Sequence, residues 1–151
     1  MISEILLFLS SCILGIFLGA QIAEAMLFVP YWKKLSADDF FELHKTYGKK
    51  IYQFFSPLTI VSTFIPLITV GYHIIHSDEN QLLFGLMGFS TVAFFSTYFM
   101  FFKNSNKSFA ERSLSNDELP LELIRWENWH WGRICFEFIA FGCSLLLLIK
   151  S

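Results

Sequence analysis

Apolar residues in this chain gather in long runs rather than in the short periods of a water-soluble domain. Four runs, at 5–29, 51–75, 81–102 and 134–149, contain just two charged residues, Glu24 and Glu137. A helix needs about 20 apolar residues to cross roughly 30 Å of hydrocarbon. The fourth run reaches that length by borrowing residues upstream, back to about Trp129. Lipid offers no hydrogen-bond partner, so a crossing segment must satisfy its amides and carbonyls internally, as a helix does. The expected fold is all-α: an integral membrane, up-and-down four-helix bundle forming a single domain over residues 1–151, with helices at about 4–29, 37–76, 80–103 and 119–149.

Local signals place the ends. Pro30 biases Val29 away from helix, and Tyr31 and Trp32 supply interfacial aromatics, so the first helix is expected to stop there. Ser36-Ala-Asp-Asp39 reads as a capping box that starts the second helix before its apolar part. Helix 4 also begins early, with Pro120 in its first turn. Helices 2 and 4 should therefore extend into the cytoplasm. Pro57 and Pro66 predict kinks in helix 2, and residues 104–118 read as a polar connection. Ser11, Gly15, Gly19 and Ala23 recur every four residues, a spacing that lets helix backbones approach closely, within this bundle or in a homo-oligomer.

Composition agrees with the pattern: 54% of the 151 residues are hydrophobic and 16% charged, which is not the balance of a soluble domain. The net charge of −2 conceals an asymmetry. Lys33, Lys34, Lys45, Lys49 and Lys50 follow the first run, and Lys103, Lys107, Arg112 and Arg125 follow the third, whereas residues 73–80 have neither Lys nor Arg. The positive-inside rule makes the first and third loops cytoplasmic and puts both termini outside, in what is expected to be a bacterial inner membrane. Acidic residues such as Asp38, Asp39 and Glu42 interleave with the lysines, so no nucleic-acid partner is expected. Membrane lipid and an apolar small molecule are. Ala23-Glu24-Ala25 resembles a signal-peptidase site, but the chain lacks a basic start and the apolar run is too long. Cys12, Cys135 and Cys143 lack a C-x-x-C spacing and read as small packing residues.

Helix reversal brings the C-terminal ends of helices 1 and 3 and the N-terminal ends of helices 2 and 4 to one level, where the unusual polar residues cluster. Gln21 and Glu24 lie three apart on helix 1. His44, Tyr47 and Tyr52 lie on helix 2, and Tyr98, Asn104 and Asn106 close helix 3. Trp126, His130, Arg133 and Glu137 are spaced four, three and four apart, which aligns them on one stripe of helix 4. A charge inside a membrane helix costs about 2.5–3.5 kcal/mol on insertion scales, so these side chains should face an interior cavity. Arg133 is expected to contact Glu24 or Glu137, with His44 over the mouth and Asn104 or Asn106 nearby. A plainer reading, in which Arg133 merely neutralises a carboxylate and fixes register, stays open. His44, His130, Glu24 and Glu137 are also candidate ligands for a metal or, through the histidines, a haem. His73 and His76 are expected to be solvated in the outer loop.

Three segments resemble a known family. Val29-Pro30 with Leu35-Ser-Ala-Asp-Asp-Phe-Phe-Glu-Leu-His44, Asn104-Ser-Asn106-Lys, and Leu119-Pro120 through Arg125-Trp126-Glu-Asn-Trp-His130-Trp-Gly-Arg133 are similar to motifs of the anthrone-oxygenase-like family of small four-helix membrane proteins. The resemblance implies an oxidoreductase or oxygenase that converts an apolar aromatic or phenolic substrate with molecular oxygen and without a conventional cofactor. His44 or His130 would take the substrate proton, and Arg133 with Asn104 or Asn106 would stabilise the anion. Gln21, Glu24, Tyr47, Tyr98, Trp126 and Glu137 would line the cavity. The alternative from another class is a non-catalytic membrane protein that binds a metal, haem, quinone or lipid.

Overall fold

The computed structural model describes residues 2–76 and 79–150, among which every regular element is helical. Four helices are long and apolar enough to cross a membrane: α1 (Ile2–Trp32), α2 (Ala37–His76), α3 (Gln81–Glu111) and α4 (Glu118–Lys150). Each packs on its chain neighbours, and α1 also packs on α4, which closes the ring.

Side chains start the helices. Ser36 Oγ accepts from the Asp39 amide at 3.2 Å and donates to the Asp39 carboxylate at 2.6 Å, beginning α2 where the sequence places it. A reciprocal box, not among the sequence expectations, begins α4: the Glu118 amide donates to Ser115 Oγ, and Ser115 N donates back to Glu118 Oε2 at 2.8 Å. Arg112, in a left-handed conformation at φ 50°, ends α3, its amide donating to the Ser108 carbonyl.

Two expectations about helix ends are corrected. α1 does not stop at Pro30. A π-helical turn, Glu24–Phe28, precedes it, with the Val29 amide reaching back to the Glu24 carbonyl. Proline in a regular helix clashes with the carbonyl four residues earlier. Behind a widened turn the ring falls in the first turn of the short segment Val29–Trp32 and the chain runs on. α3 contains a second π-helical turn, Tyr98–Phe102, and then continues as helix over Lys103–Glu111, so residues 104–111 belong to α3 rather than to a loop. α2 passes through Pro57 and Pro66 as one 40-residue helix.

At the end of the bundle holding the start of α1, the helices meet closely. Leu7, Leu14, Phe17, Phe84, Met87, Phe94, Ala140 and Leu147 form a continuous core. Ser10 and Thr69 share a 2.8 Å hydrogen bond, Ser11 donates to Ser144 at 3.1 Å, and the Phe141 ring lies 3.0 Å from where a Cβ on Gly15 would sit. The small-residue stripe of α1 thus serves contacts inside the bundle at Ser11 and Gly15, while Gly19 meets nothing within 4 Å. Of the cysteines, Cys143 is buried but Cys12 and Cys135 are exposed, so two of the three do not pack as expected. His73 and His76 lie in the last turn of α2, inside the expected 37–76 helix. His73 stacks on Phe84 at 3.7 Å and pairs with Ser3, whereas His76 is exposed. Ile16, Phe64, Phe89 and Phe138 point outward, each more than half exposed, as a lipid-facing belt would be.

A candidate binding and catalytic cavity

The opposite end, where α1 and α3 finish and α2 and α4 begin, is more open. α2 and α3 part around a cavity of about 680 Å³ whose rear wall is α1 and α4. Both π-helical turns border it. Glu24 opens the turn in α1, and Tyr98 and Phe102 begin and end the turn in α3. A π-turn rotates the helix face beyond it, and such turns recur at functional sites. Here they direct Glu24 and Phe102 to the same space.

The walls are aromatic and the floor is polar. Trp32, Tyr52, Phe55, Phe95, Tyr98, Phe99 and Phe102 line the sides, and Gln21, Glu24 and Arg133 line the floor. Above the floor, Trp32, Phe40, Phe102, Phe109 and Trp126 form a second core. Trp126 donates from its indole nitrogen to Asn106 Oδ1 at 3.0 Å, tying α4 to α3. An exposed ion pair between Arg112 and Asp38 and a 2.6 Å contact between Lys33 and Glu127 join the neighbouring ends.

Arg133 organises the floor. Its Nη2 donates to Gln21 Oε1 at 2.5 Å and to His130 Nδ1 at 3.2 Å, its guanidinium lies 4.3 Å over the Phe102 ring, and its Nε stands 3.8 Å from Glu137 Oε1. That last distance is an ion pair but not a hydrogen bond. Arg133 Nε and both carboxylate oxygens of Glu137 are buried without a hydrogen-bond partner among the described residues. Glu24 is 5% exposed, lines the cavity and has His130 Nε2 at 3.8 Å. The expected Arg133–Glu137 contact is therefore present, and the buried charges share one interior region.

Geometry separates the two histidines. His130 Nε2 lies 2.9 Å from the Gln21 carbonyl, which can only accept, so Nε2 carries the proton. Nδ1 faces the Arg133 donor, so the lone pair on that side is already engaged. His130 is fully buried and stacked on Trp126 at 4.7 Å, and it does not line the cavity. Both ring nitrogens of His130 are thus engaged within the floor, and of the two histidines expected here only His44 is among the lining residues. His44 is held differently. Its Nδ1 donates to the Phe40 carbonyl at 3.0 Å, its ring packs 4.0 Å from Phe40 and 5.2 Å from Trp32, and it lines the cavity. That tautomer leaves the Nε2 lone pair without a partner among the described residues.

Of the sequence candidates, Gln21, Glu24, His44, Tyr98, Asn106, Trp126 and Arg133 line the cavity, and His130 and Glu137 lie behind it. Asn104 and Tyr47 are not brought in. Asn104 is exposed, and its side chain has no hydrogen bond among the described residues, though its backbone carbonyl accepts from Ser108; Tyr47 is half exposed, with Lys50 over its ring at 5.8 Å. The metal set fails as a set: among the described residues no three His, Cys, Asp or Glu side chains converge. Trp32, Gly48, Phe55, Thr59, Phe95, Phe102 and the rim lysines Lys49, Lys103 and Lys107 are additions that the sequence reading does not contain. A signal for them exists. His44, Gly48, Tyr52, Phe55 and Thr59 follow a helical period along α2, as do Phe95, Phe99, Phe102 and Asn106 along α3.

Fold and site together define a four-helix protein with membrane-spanning character and an aromatic cavity closed on buried charge. No family model, curated protein sequence or solved structure matches the chain. The resemblance of the three motifs to a known family therefore supports a proposal and nothing firmer.

Proposed function

We propose that the protein takes an apolar aromatic or phenolic molecule from the bilayer into the cavity between α2 and α3 and oxidises it there. The observation that carries the reading is the cavity itself. Its volume falls within the roughly 300–1,000 Å³ of small-molecule sites, and aromatic walls around a few convergent polar groups are what such sites require. In this reading the lysine-bearing end faces the cytoplasm of a bacterial cell.

The chemistry needs a base and an anion partner. His44 is the base: its ring lines the cavity, its Nε2 has no partner among the described residues, and imidazole exchanges protons near neutral pH. Arg133, already fixed by Gln21 and His130, stabilises the enolate or phenolate. For an activated ring methylene, reaction of that electron-rich anion with dioxygen converts CH₂ to C=O. One oxygen atom enters the product and the other leaves as water with the two displaced hydrogens. Asn106 holds Trp126 in the wall, a positioning role.

Oxygen uptake by protein-containing membranes given a hydroxylated anthrone tests the reading. His44→Ala is expected to lose roughly a hundredfold or more in rate, the scale of general-base catalysis. Turnover unchanged in His44→Ala would end the mechanism. Binding of the same aromatic molecule by the parent protein, without oxygen uptake, would leave a ligand-binding protein.

A further inference from the structure

Three lysines border the cavity. Lys49 comes from α2, and Lys103 and Lys107 come from α3. Elsewhere at this end, Lys33 pairs with Glu127, Lys45 with Glu42, Arg112 with Asp38 and Arg125 with Glu122, whereas Lys34 and Lys50 form no ion pair among the described residues. Lys107 has a long 3.9 Å contact with Glu111. Lys49 and Lys103, one on each side of the parting, form no ion pair among the described residues. Below them the cavity is aromatic down to Glu24 and Arg133.

We infer that the cavity's ligand is an anionic amphiphile: an aromatic body in the cavity, and a carboxylate, sulfonate or phosphate held between Lys49 and Lys103 at its rim. This rests on the proposed occupancy of the cavity but not on any reaction in it. Topology explains lysines at this end, since flanking basic residues orient membrane helices. It does not explain why three of them line the cavity, where Glu24 at the floor is the one lining carboxylate among the described residues. Charge complementarity does. An acidic group at the rim is attracted by both ammonium groups, whereas the Arg133 guanidinium at the floor is already bonded to Gln21 and His130 and has the Glu137 carboxylate at 3.8 Å. The arrangement also fixes direction. With the acid at the rim, the apolar end of the molecule is the end presented to the floor.

Two fluorescent probes of nearly one shape separate the parts of this claim. Anilinonaphthalene sulfonate carries an anionic group and N-phenylnaphthylamine does not. Binding to the full-length protein in phosphatidylcholine nanodiscs is read by energy transfer from tryptophan, with protein-free discs as baseline. Trp32 and Trp126 lie in the cavity wall and serve as donors. The sulfonate is expected to bind more tightly, and Lys49→Gln/Lys103→Gln to weaken it roughly tenfold while leaving the neutral probe within about twofold, as loss of near-surface charge predicts. Lys34→Gln, which removes a lysine at the same end that does not border the cavity, is expected to change neither. Equal affinity for both probes, or equal weakening by Lys34→Gln, would overturn the inference and leave the cavity standing. Failure of the neutral probe to bind the parent would instead overturn the cavity's occupancy. Loss of sulfonate binding when phosphatidylglycerol is added to the discs would assign the lysines to a lipid headgroup and overturn the claim that they hold the cavity's own ligand.

Discussion

The bundle is close-packed around Ser10 and Gly15 and parted around Glu24 and His44, and the two halves are held by different means. In the first, small residues and hydroxyls let backbones approach: Ser10 on Thr69, Ser11 on Ser144, Gly15 under Phe141, and Gly88, where an added Cβ would lie 3.4 Å from Val70. In the second, the two π-helical turns and large aromatic side chains frame an open volume. Lipid tails are as apolar as leucine, so helices in a membrane gain little from apolar burial against each other and depend on packing and polar contacts. The parted half has given up much of that packing. There α1 is joined to α4 by the buried group around Arg133, by the Lys33–Glu127 contact and by Trp32 against Trp126. The difference implies that the same polar residues that furnish the cavity floor also keep this half closed.

The largest test of that comparison is Arg133→Met. It leaves Glu137 buried without its paired cation, takes away the guanidinium that acts on Glu24, and removes the bond to Gln21. Breaking one partner of a buried pair costs about 3–5 kcal/mol, and unfolding of the purified protein in mild detergent would register the loss. Arg133→Met/Glu137→Met is expected to recover much of it, since a packed apolar pair replaces an ionic one at little cost. A single variant as stable as the parent would mean that packing alone closes this half.

Next in size is a pair of glycines. A valine at Gly15 would drive its Cβ into the Phe141 ring, and overpacking of this kind costs about 1–3 kcal/mol. Gly19→Ala meets nothing within 4 Å and is expected to be neutral or, by helix propensity, up to about 1 kcal/mol stabilising. Equal effects at the two positions would erase the distinction between packed and open stretches of α1. Smaller again is the Ser11–Ser144 bond. A double-mutant cycle with alanine at both should return a coupling of about 0.6 kcal/mol, the average for interhelical hydrogen bonds in a membrane protein.

Much of the bundle is readable from the chain, and the misses have local causes. The four spans follow from length and hydropathy, and α2 begins at Ala37 because Ser36 and Asp39 fit a capping box. The Arg133–Glu137 pair follows from a spacing of four on one helix. Pro30 misleads because Val29 keeps a right-handed helical conformation despite the bias against it before proline, and the π-helical turn upstream relieves the clash of the ring with the carbonyl four residues earlier. Asn104 and Asn106 cannot be told apart in a polar stretch. Two residues apart on a helix they face nearly opposite ways, and only tertiary packing selects the one beside Trp126. The roles of the histidines are hidden for a related reason. His130 is fixed by a backbone carbonyl on another helix, and a carbonyl leaves no signature in side-chain identity.

The smallest effect on stability should accompany a decisive effect on binding, and Gly48 is the place to seek it. Gly48 lies on α2, borders the cavity, and would present a Cβ to open space within 4 Å. A phenylalanine there replaces the residue least suited to a helix interior other than proline. Its ring would fill part of the space between α2 and α3 without entering the close-packed half. Unfolding stability is expected to stay within about 0.5 kcal/mol of the parent, the range of substitutions that disturb no packed feature. Affinity for the neutral aromatic probe is expected to fall at least roughly tenfold, because the ligand loses room and must displace a packed ring. If Gly48→Phe unfolds the protein, α2 and α3 are closer together than a 680 Å³ opening allows, and the contrast between the halves disappears. If it folds and binds as before, the molecule takes its ligand elsewhere. Retained stability with lost binding is the single outcome that fits a bundle held together at one end and kept open at the other.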